Sequence, residues 1–287
     1  MTADGAGRAL VLGGGGVAGI AWEAGMITGL RDAGVDLTAA DLIVGTSAGS
    51  VVGSLIGHGV DLTEAVDRLA VEADPPGGSR ADSAGADMDA VMTAFGILFD
   101  PNLEPRAARA QVGALALAAQ VDASAVARLD ELAKRMPSQE WPERRFLITA
   151  VDTADGAFVV WDGESGVPLP LAVTSSCAVP CVFPPVEIDG RRYMDGGVRS
   201  VTNADLARGA SAVVILEPLA HLMPRPTLER ELRELDTAKV AALGPDQAAI
   251  DVFGVNVLDP TLWRPGFQAG RKQAVASVDD VRAVWTG

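Results

Sequence analysis

Histidine, cysteine and lysine are scarce in this chain. His58 and His221 are its two histidines, and Cys177 and Cys181 its two cysteines, among 287 residues. The cysteines stand four apart with no histidine near them, which speaks against a zinc site. They read as small buried residues rather than as a disulfide. Basic residues number 23 against 38 acidic ones, a net charge of −15. That balance excludes an extended phosphate-binding face of the kind nucleic acid requires. It also excludes broad attraction to anionic membranes. Long apolar runs are missing too: glycine, proline or a charge interrupts each one within about 15 residues, short of a membrane span. Met1 to Arg8 lacks a basic segment leading into an apolar stretch, so no signal peptide is expected and a cytoplasmic location is. Hydrophobic residues make up 48% of the chain, enough for a sizeable core. One domain spanning 1–287 is expected, with a core over about 8–216, a helical insertion over about 61–140 and C-terminal helices over about 226–285.

Glycine, by contrast, is plentiful at 32 residues. Two clusters fall where strands end. Arg8 to Leu12 is a short apolar run that reads as a buried strand, and Gly13 to Gly16 stops it before a helix over Val17–Arg31. Backbone N–H groups converge at such a strand-to-helix turn and suit a negative charge. Gly14 to Gly19 also fits a dinucleotide-binding pattern. That pattern needs an acidic residue at the end of the second strand. Here the second strand ends in Gly45-Thr46-Ser47, so the dinucleotide reading is not favoured. Gly45-Thr46-Ser47-Ala48-Gly49 instead has the form of a nucleophile elbow, a serine lifted on a sharp turn with glycines two positions to each side.

Further along, Asp61–Leu69, Met88–Leu98, Arg106–Ala119 and Asp122–Met136 read as helices, with a loop from Asp74 to Ser79. They form either a cap over a site or ordinary crossover helices. Arg145–Val151 and Ala157–Trp161 form a hairpin around Asp155-Gly156. Pro170–Ala178 reads as a helix. A second hairpin, Val186–Ile188 with Arg191–Met194, delivers Asp195-Gly196-Gly197 at a strand end. A helix over Asn203–Arg208 leads to the strand Ala212–Leu216. Leu228–Leu243, Pro245–Val252 and Gln268–Val284 read as helices. Strands alternating with helices indicate an α/β sheet covered on both faces, with ligands outside the carboxyl ends of the strands.

Ser47 is thus a candidate nucleophile, and the glycine run a candidate oxyanion hole. A base is needed as well. His58 follows Ser47 by eleven residues on the same helix, roughly 15 Å along its axis, and is excluded. His221 remains open, because Ser47, Asp195 and His221 follow the order of an α/β-hydrolase triad.

At this point the chain resembles the patatin-like phospholipases. The residues that carry the resemblance are Gly14 to Gly19, Gly45 to Gly49 and Asp195-Gly196-Gly197, supported by Thr174 to Pro180 and Phe183-Pro184-Pro185. It extends from about Arg8 to Leu216. It implies a three-layer α/β/α fold with a mostly parallel central sheet and a helical cap insertion. It implies a Ser47–Asp195 dyad without histidine, the backbone of Gly14, Gly15 and Gly16 as oxyanion hole, and no metal or cofactor. The implied substrate is a lipid or other carboxylic ester, met at a transient membrane interface. One departure stands out: the family often has Lys or Arg just before the last glycine of the first motif, and this chain has Ala18. Phospholipid specificity is therefore in doubt more than acyl hydrolysis is. A His221-dependent esterase, a catalytically silent acyl-binding module and an acyltransferase are the competing expectations.

Overall fold

Alternation along short, wholly apolar strands builds the centre of the molecule. Leu10, Leu12, Ile43, Ile148, Val214 and Leu216 face one side of a sheet. Ala9, Val11, Val44, Leu147, Val213 and Ile215 face the other. Both faces are buried, which is why these strands read as continuous apolar runs rather than as an alternation with polar residues. The computed structural model describes residues 7–73, 88–236 and 239–286. The loop expected at Asp74–Ser79 lies outside them.

In chain order the elements are β1 (Arg8–Leu12), α1 (Gly16–Asp32), β2 (Leu42–Gly45), α2 (Ala48–Gly57), α3 (Leu62–Ala73), α4 (Met88–Leu98), α5 (Pro105–Ala118), α6 (Ala123–Lys134), β3 (Arg145–Asp152), β4 (Phe158–Trp161), α7 (Leu169–Ser176), β5 (Val186–Ile188), β6 (Arg191–Asp195), β7 (Ala212–Leu216), α8 (Arg225–Glu234), β8 (Val240–Leu243), α9 (Gln247–Phe253) and α10 (Trp263–Trp285). The strands form one sheet in the order β5-β6-β3-β2-β1-β7-β8, with β4 also paired to β3. β3, β2, β1, β7 and β8 run parallel, and β4, β5 and β6 are antiparallel additions. Helices α1, α2, α3, α7, α9 and α10 cover one face. α8 covers part of the other, and α4 and α5 the rest. The fold is the expected three-layer α/β/α sandwich around a mostly parallel sheet. The insertion divides between layers: α3 packs against α1 and α10, whereas α4 and α5 pack together on the opposite face. Among the described residues no single helix is long and apolar enough to cross a membrane.

One expected helix is corrected. Leu228–Leu243 is two elements, α8 and then the strand β8. Asp236 takes a left-handed φ of 56°, which stops the helical path. Val240-Ala241-Ala242-Leu243 then pairs in parallel with Val213–Leu216. Two alanines in four residues hide the strand locally, and a neighbouring strand supplies what propensity does not.

α1 is buried from Ala18 to Leu30. It crosses α10 at a glycine seam. A Cβ on Gly270 would stand 2.3 Å from the Trp22 carbonyl oxygen, and one on Gly25 would stand 2.2 Å from that of Phe267. The backbones therefore touch, and the buried Trp22 Nε1 donates to Gln273 Oε1 of α10 at 2.9 Å. We expect Gly270→Ala to destabilise the protein by about 1–3 kcal/mol through overpacking. A urea denaturation midpoint equal to that of the wild type would refute this close approach.

Glu23 lies on the same helix with no exposed surface. Neither of its carboxyl oxygens has a hydrogen-bond partner among the described residues. Burial pushes this carboxyl well above 4.5, opposed weakly by the nearby Gly13 amide. A raised folded-state value gives stability at low pH that is lost as pH rises from the unfolded value toward the folded one. Glu23→Gln removes that dependence while keeping the shape. Its stability relative to wild type should therefore climb with pH from about 4.5 upward. A difference in unfolding free energy that stays constant across that range would contradict the assignment.

Candidate active site

β2 ends in the only way its glycines allow. A Cβ on Gly49 would stand 2.0 Å from the Leu12 carbonyl oxygen, so the first turn of α2 lies directly on the end of β1. Between Gly45 and Gly49 the chain turns sharply at Ser47, whose φ of 51° and ψ of −114° are unusual for a residue with a side chain. Such strain costs of order 1–3 kcal/mol and persists where the surroundings over-determine it. They do so here. Ser47 N donates to Ser176 Oγ at 2.9 Å. Ser47 O accepts from Ser50 Oγ at 2.6 Å, from Ser50 N at 2.9 Å and from Cys177 Sγ at 3.4 Å. The serine's side chain stands at the N-terminal end of α2, where helix charge is positive.

The glycine turn after β1 lies beside it. Thr46 N donates to Leu12 O at 3.0 Å and Gly49 N to Gly13 O at 3.0 Å. A Cβ on Gly14 would lie 3.6 Å from the Ser47 Cβ. Gly16 has a left-handed φ of 60°, and a Cβ there would meet Leu258 Cδ2 and Val257 O at 2.8 Å. Glycine is required at that point on both counts. The amides divide by occupation. Gly13 N donates to Leu216 O at 2.9 Å and Gly14 N to Val201 O at 2.8 Å. Gly14 is thereby removed from the expected oxyanion donors, because its hydrogen is committed to a backbone carbonyl. The amides of Gly15 and Gly16 have no such partner among the described residues. Ala18 N donates to Val257 O at 3.0 Å. Its side chain is fully buried.

Asp195 arrives from the antiparallel part of the sheet. β3 pairs with β2 as far as Ile148 opposite Gly45, and with β6 at Ala150 opposite Asp195. One strand thus sets the level of both the serine turn and the aspartate turn. Asp195 N donates to Ala178 O at 3.0 Å. The carboxylate Oδ1 accepts from Gly197 N at 2.7 Å. The Ser47 hydroxyl also acts on this carboxylate, favouring its charged form. Burial pushes the Asp195 carboxyl up to about 6, and the Gly197 amide and the Ser47 hydroxyl hold it from rising further. The neighbouring Cys177 thiol is pushed up to about 12 by burial and then by the Asp195 charge, so it stays protonated. Neither cysteine forms a disulfide.

The structure therefore brings Ser47, Asp195 and the Gly13–Gly16 turn together, and leaves both histidines outside. His58 sits at the far end of α2, its ring nitrogens 2.9 Å from Ser54 O and 3.2 Å from Glu140 O. His221 is exposed in the segment after β7, with its ring 6.3 Å from that of Phe253. Among the described residues neither histidine bonds to Ser47 or Asp195. No group of three His, Cys, Asp or Glu side chains among the described residues could hold a metal ion. Two participants were not singled out from the sequence. Ser176, inside the Thr174–Pro180 segment, accepts the Ser47 amide. Asn203 lies buried beneath both turns. Ser176 at least fell within a motif; nothing marks Asn203 before the fold is known.

Above this centre lies an apolar cluster. Val91 of α4 packs with Cys181 and Val182, bordered by Leu115, Phe183 and Leu258. Leu258 is the residue that closes over Gly16.

No curated protein sequence matches the chain. Among solved structures, VipD from Legionella pneumophila is similar over 96% of this chain and 67% of that chain, at 13% identity and a TM-score of 0.45. ExoU from the type III secretion system of Pseudomonas aeruginosa, in its heterodimeric complex with SpcU, is similar over 98% of this chain, at 16% identity and a TM-score of 0.45. The chain spans 52% of the length of that ExoU chain. The profile of the patatin-like phospholipases matches residues 10–208, which includes the glycine turn, the Ser47 elbow and the Asp195 turn. The chain belongs to the patatin-like phospholipase family.

Proposed function

We propose that this chain is a serine acyl hydrolase that cleaves carboxylic esters of lipids through a Ser47–Asp195 dyad. The observation that carries this reading is a strained serine brought together with a buried aspartate, beside two amides without a backbone partner among the described residues. Ser47 Oγ attacks the ester carbonyl while Asp195 accepts the hydroxyl proton. The amides of Gly15 and Gly16 donate to the resulting oxyanion; each such donor is worth roughly 10²–10³ in rate. Collapse of the intermediate breaks the bond to the alcohol oxygen, which leaves with the proton from Asp195. Water then attacks the acyl-enzyme, Asp195 takes one of its protons, and the carboxylic acid departs as Ser47 regains its hydrogen. An ordinary aspartate, at about 3.9, is a weak base at neutral pH. Burial that raises Asp195 to about 6 leaves it ionised at pH 7 and above, yet far more basic.

Ala18 bears on the substrate. The position that is basic in many relatives is here a buried methyl group, with its amide bonded to Val257 and Leu258 packed over Gly16. Arg199, close in sequence to the aspartate turn, is already held by Asp205 at 2.6 Å. These features favour an uncharged acyl ester over an anionic headgroup.

In a hydrolysis assay with a p-nitrophenyl ester, Ser47→Ala should lower kcat by at least ~10³-fold. His221→Ala should stay within about twofold of wild type, since a surface side chain outside the site contributes little. Activity that survives Ser47→Ala, or that falls by orders of magnitude with His221→Ala, would remove the dyad. Across a lipid panel, we expect kcat/KM for neutral acylglycerols to exceed that for phosphatidylglycerol by about tenfold, the size of one lost charge-assisted contact. A preference for the anionic lipid would overturn the part assigned to Ala18.

A further inference from the structure

We propose that Asn203 is the positioning residue that holds the Ser47 turn and the Asp195 turn at a fixed separation. The inference rests on the Ser47–Asp195 chemistry proposed above. Asn203 has no exposed surface. Its backbone sits in the left-handed region, with φ 50° and ψ 38°, which asparagine tolerates better than most residues. That conformation turns its amide group inward beneath both turns.

The side chain is fully engaged. Nδ2 lies 2.6 Å from Ser200 O, 3.0 Å from Thr46 Oγ1, 3.3 Å from Thr149 Oγ1 and 3.4 Å from Gly196 O. Its two hydrogens serve the first two best; the longer pair are next nearest. Oδ1 accepts from Arg199 Nη1 at 2.7 Å. Arg199 is itself fixed by Asp205 at 2.6 Å and by stacking 4.2 Å above the Phe158 ring of β4. Thr46 Oγ1 and Thr149 Oγ1 are 2.9 Å apart. Because Thr46 Oγ1 accepts from Asn203, its own hydrogen is free to point to Thr149.

The partners matter by their places in the chain. Thr46 immediately precedes the serine, Gly196 immediately follows the aspartate, and Thr149 lies on the strand that pairs with both β2 and β6. A Cβ on Gly196 would meet Thr149 Oγ1 at 2.1 Å, so the aspartate turn lies directly on this hydroxyl pair. One planar amide thereby ties the residue before the nucleophile to Ser200, in the turn that follows the base, with Gly196 O next to it. Neither side chain of the dyad is touched by Asn203, so its effect is on their separation. Misplacement by about 1 Å can cost 10²-fold in rate. The other ionisable groups near the cluster have their own partners. Glu231 Oε2 accepts from Thr202 Oγ1 at 2.6 Å and from Ala204 N at 3.0 Å. Arg199 is paired with Asp205, and the Cys177 thiol stays protonated.

The test measures kcat, KM and the pH profile for p-nitrophenyl ester hydrolysis by Asn203→Gly, Thr46→Val, Thr46→Ser and the double variant Asn203→Gly/Thr46→Val, with Ser47→Ala as control. Glycine keeps the left-handed backbone and deletes the amide; valine keeps the shape of threonine and deletes the hydroxyl. We expect kcat to fall about 10–100-fold in Asn203→Gly and in Thr46→Val with KM within about threefold. Thr46→Ser should retain kcat within about threefold. The double variant should be little slower than the slower single one, since both break one network. The acid limb of kcat should move downward in Asn203→Gly as the aspartate turn loosens toward solvent. A merely structural role would lower the melting temperature and leave kcat and the acid limb unchanged; that result overturns the proposal. So would multiplying losses in the double variant. If Asn203→Gly does not fold, equal kcat for Thr46→Val and Thr46→Ser overturns it. Activity remaining in Ser47→Ala would instead strike at the underlying dyad.

Discussion

Two backbone hydrogen bonds join the end of β2 to the end of β1, and the site depends on them. Thr46 N bonds to Leu12 O and Gly49 N to Gly13 O. They require the first turn of α2 to lie against β1 with no side chain between, which is the position Gly49 occupies. With that contact in place the chain must double back at Ser47, and its backbone enters a region other residues avoid. The strain is local, while the forces sustaining it are spread over Ser50, Ser176 and Cys177. The same contact places the serine next to the glycine turn. The candidate nucleophile and the candidate oxyanion turn thus arise from one packing constraint rather than from two separate devices.

Burial makes the carboxylate beside Ser47 more basic than an ordinary one. The chain is strongly acidic overall, yet the carboxylates that matter most are buried. Asp195 keeps only the Gly197 amide and the Ser47 hydroxyl as compensation, and burial outweighs both. This costs stability and raises the carboxyl's affinity for a proton, a pattern common at functional sites. Glu23 has the same desolvation with no catalytic reward in view, in the middle of the helix that follows the glycine turn. The C-terminal part of the chain, beyond the family match, is not an ornament on this centre. α10 grips α1 along the glycine seam, and Val257 and Leu258 close over Ala18 and Gly16. The region after β7 therefore helps shape the site from outside the family's shared core.

Much of this arrangement was legible in the residues. The strands β1, β2, β3 and β7 announce themselves as apolar runs, and the Asp155-Gly156 and Asp189-Gly190 turns mark both hairpins. The elbow and the aspartate turn are visible because glycine is needed where chains approach closely. What could not be read is tertiary. β8 is four residues with two alanines, and it becomes a strand because β7 offers an edge. Gly14 looks like its neighbours, but its amide is taken by Val201, a residue far along the chain. Asn203 carries no motif signal here, since its contacts to Thr46, Thr149 and Gly196 exist only once β2, β3 and β6 are side by side.

The central claim is that a buried aspartate, with no histidine, activates a serine held on a strained turn. The most direct measurement is the rate at which a fluorophosphonate labels Ser47 as a function of pH, in wild type and in Asp195→Asn. A Ser47–Asp195 dyad predicts a single rise through about pH 6 in the wild type, the value to which burial brings Asp195. It predicts that the rise disappears in Asp195→Asn, with labelling slowed by about 10²–10⁴-fold, the usual worth of general base catalysis. Labelling by Asp195→Asn at the wild-type rate, with the same pH dependence, would contradict it.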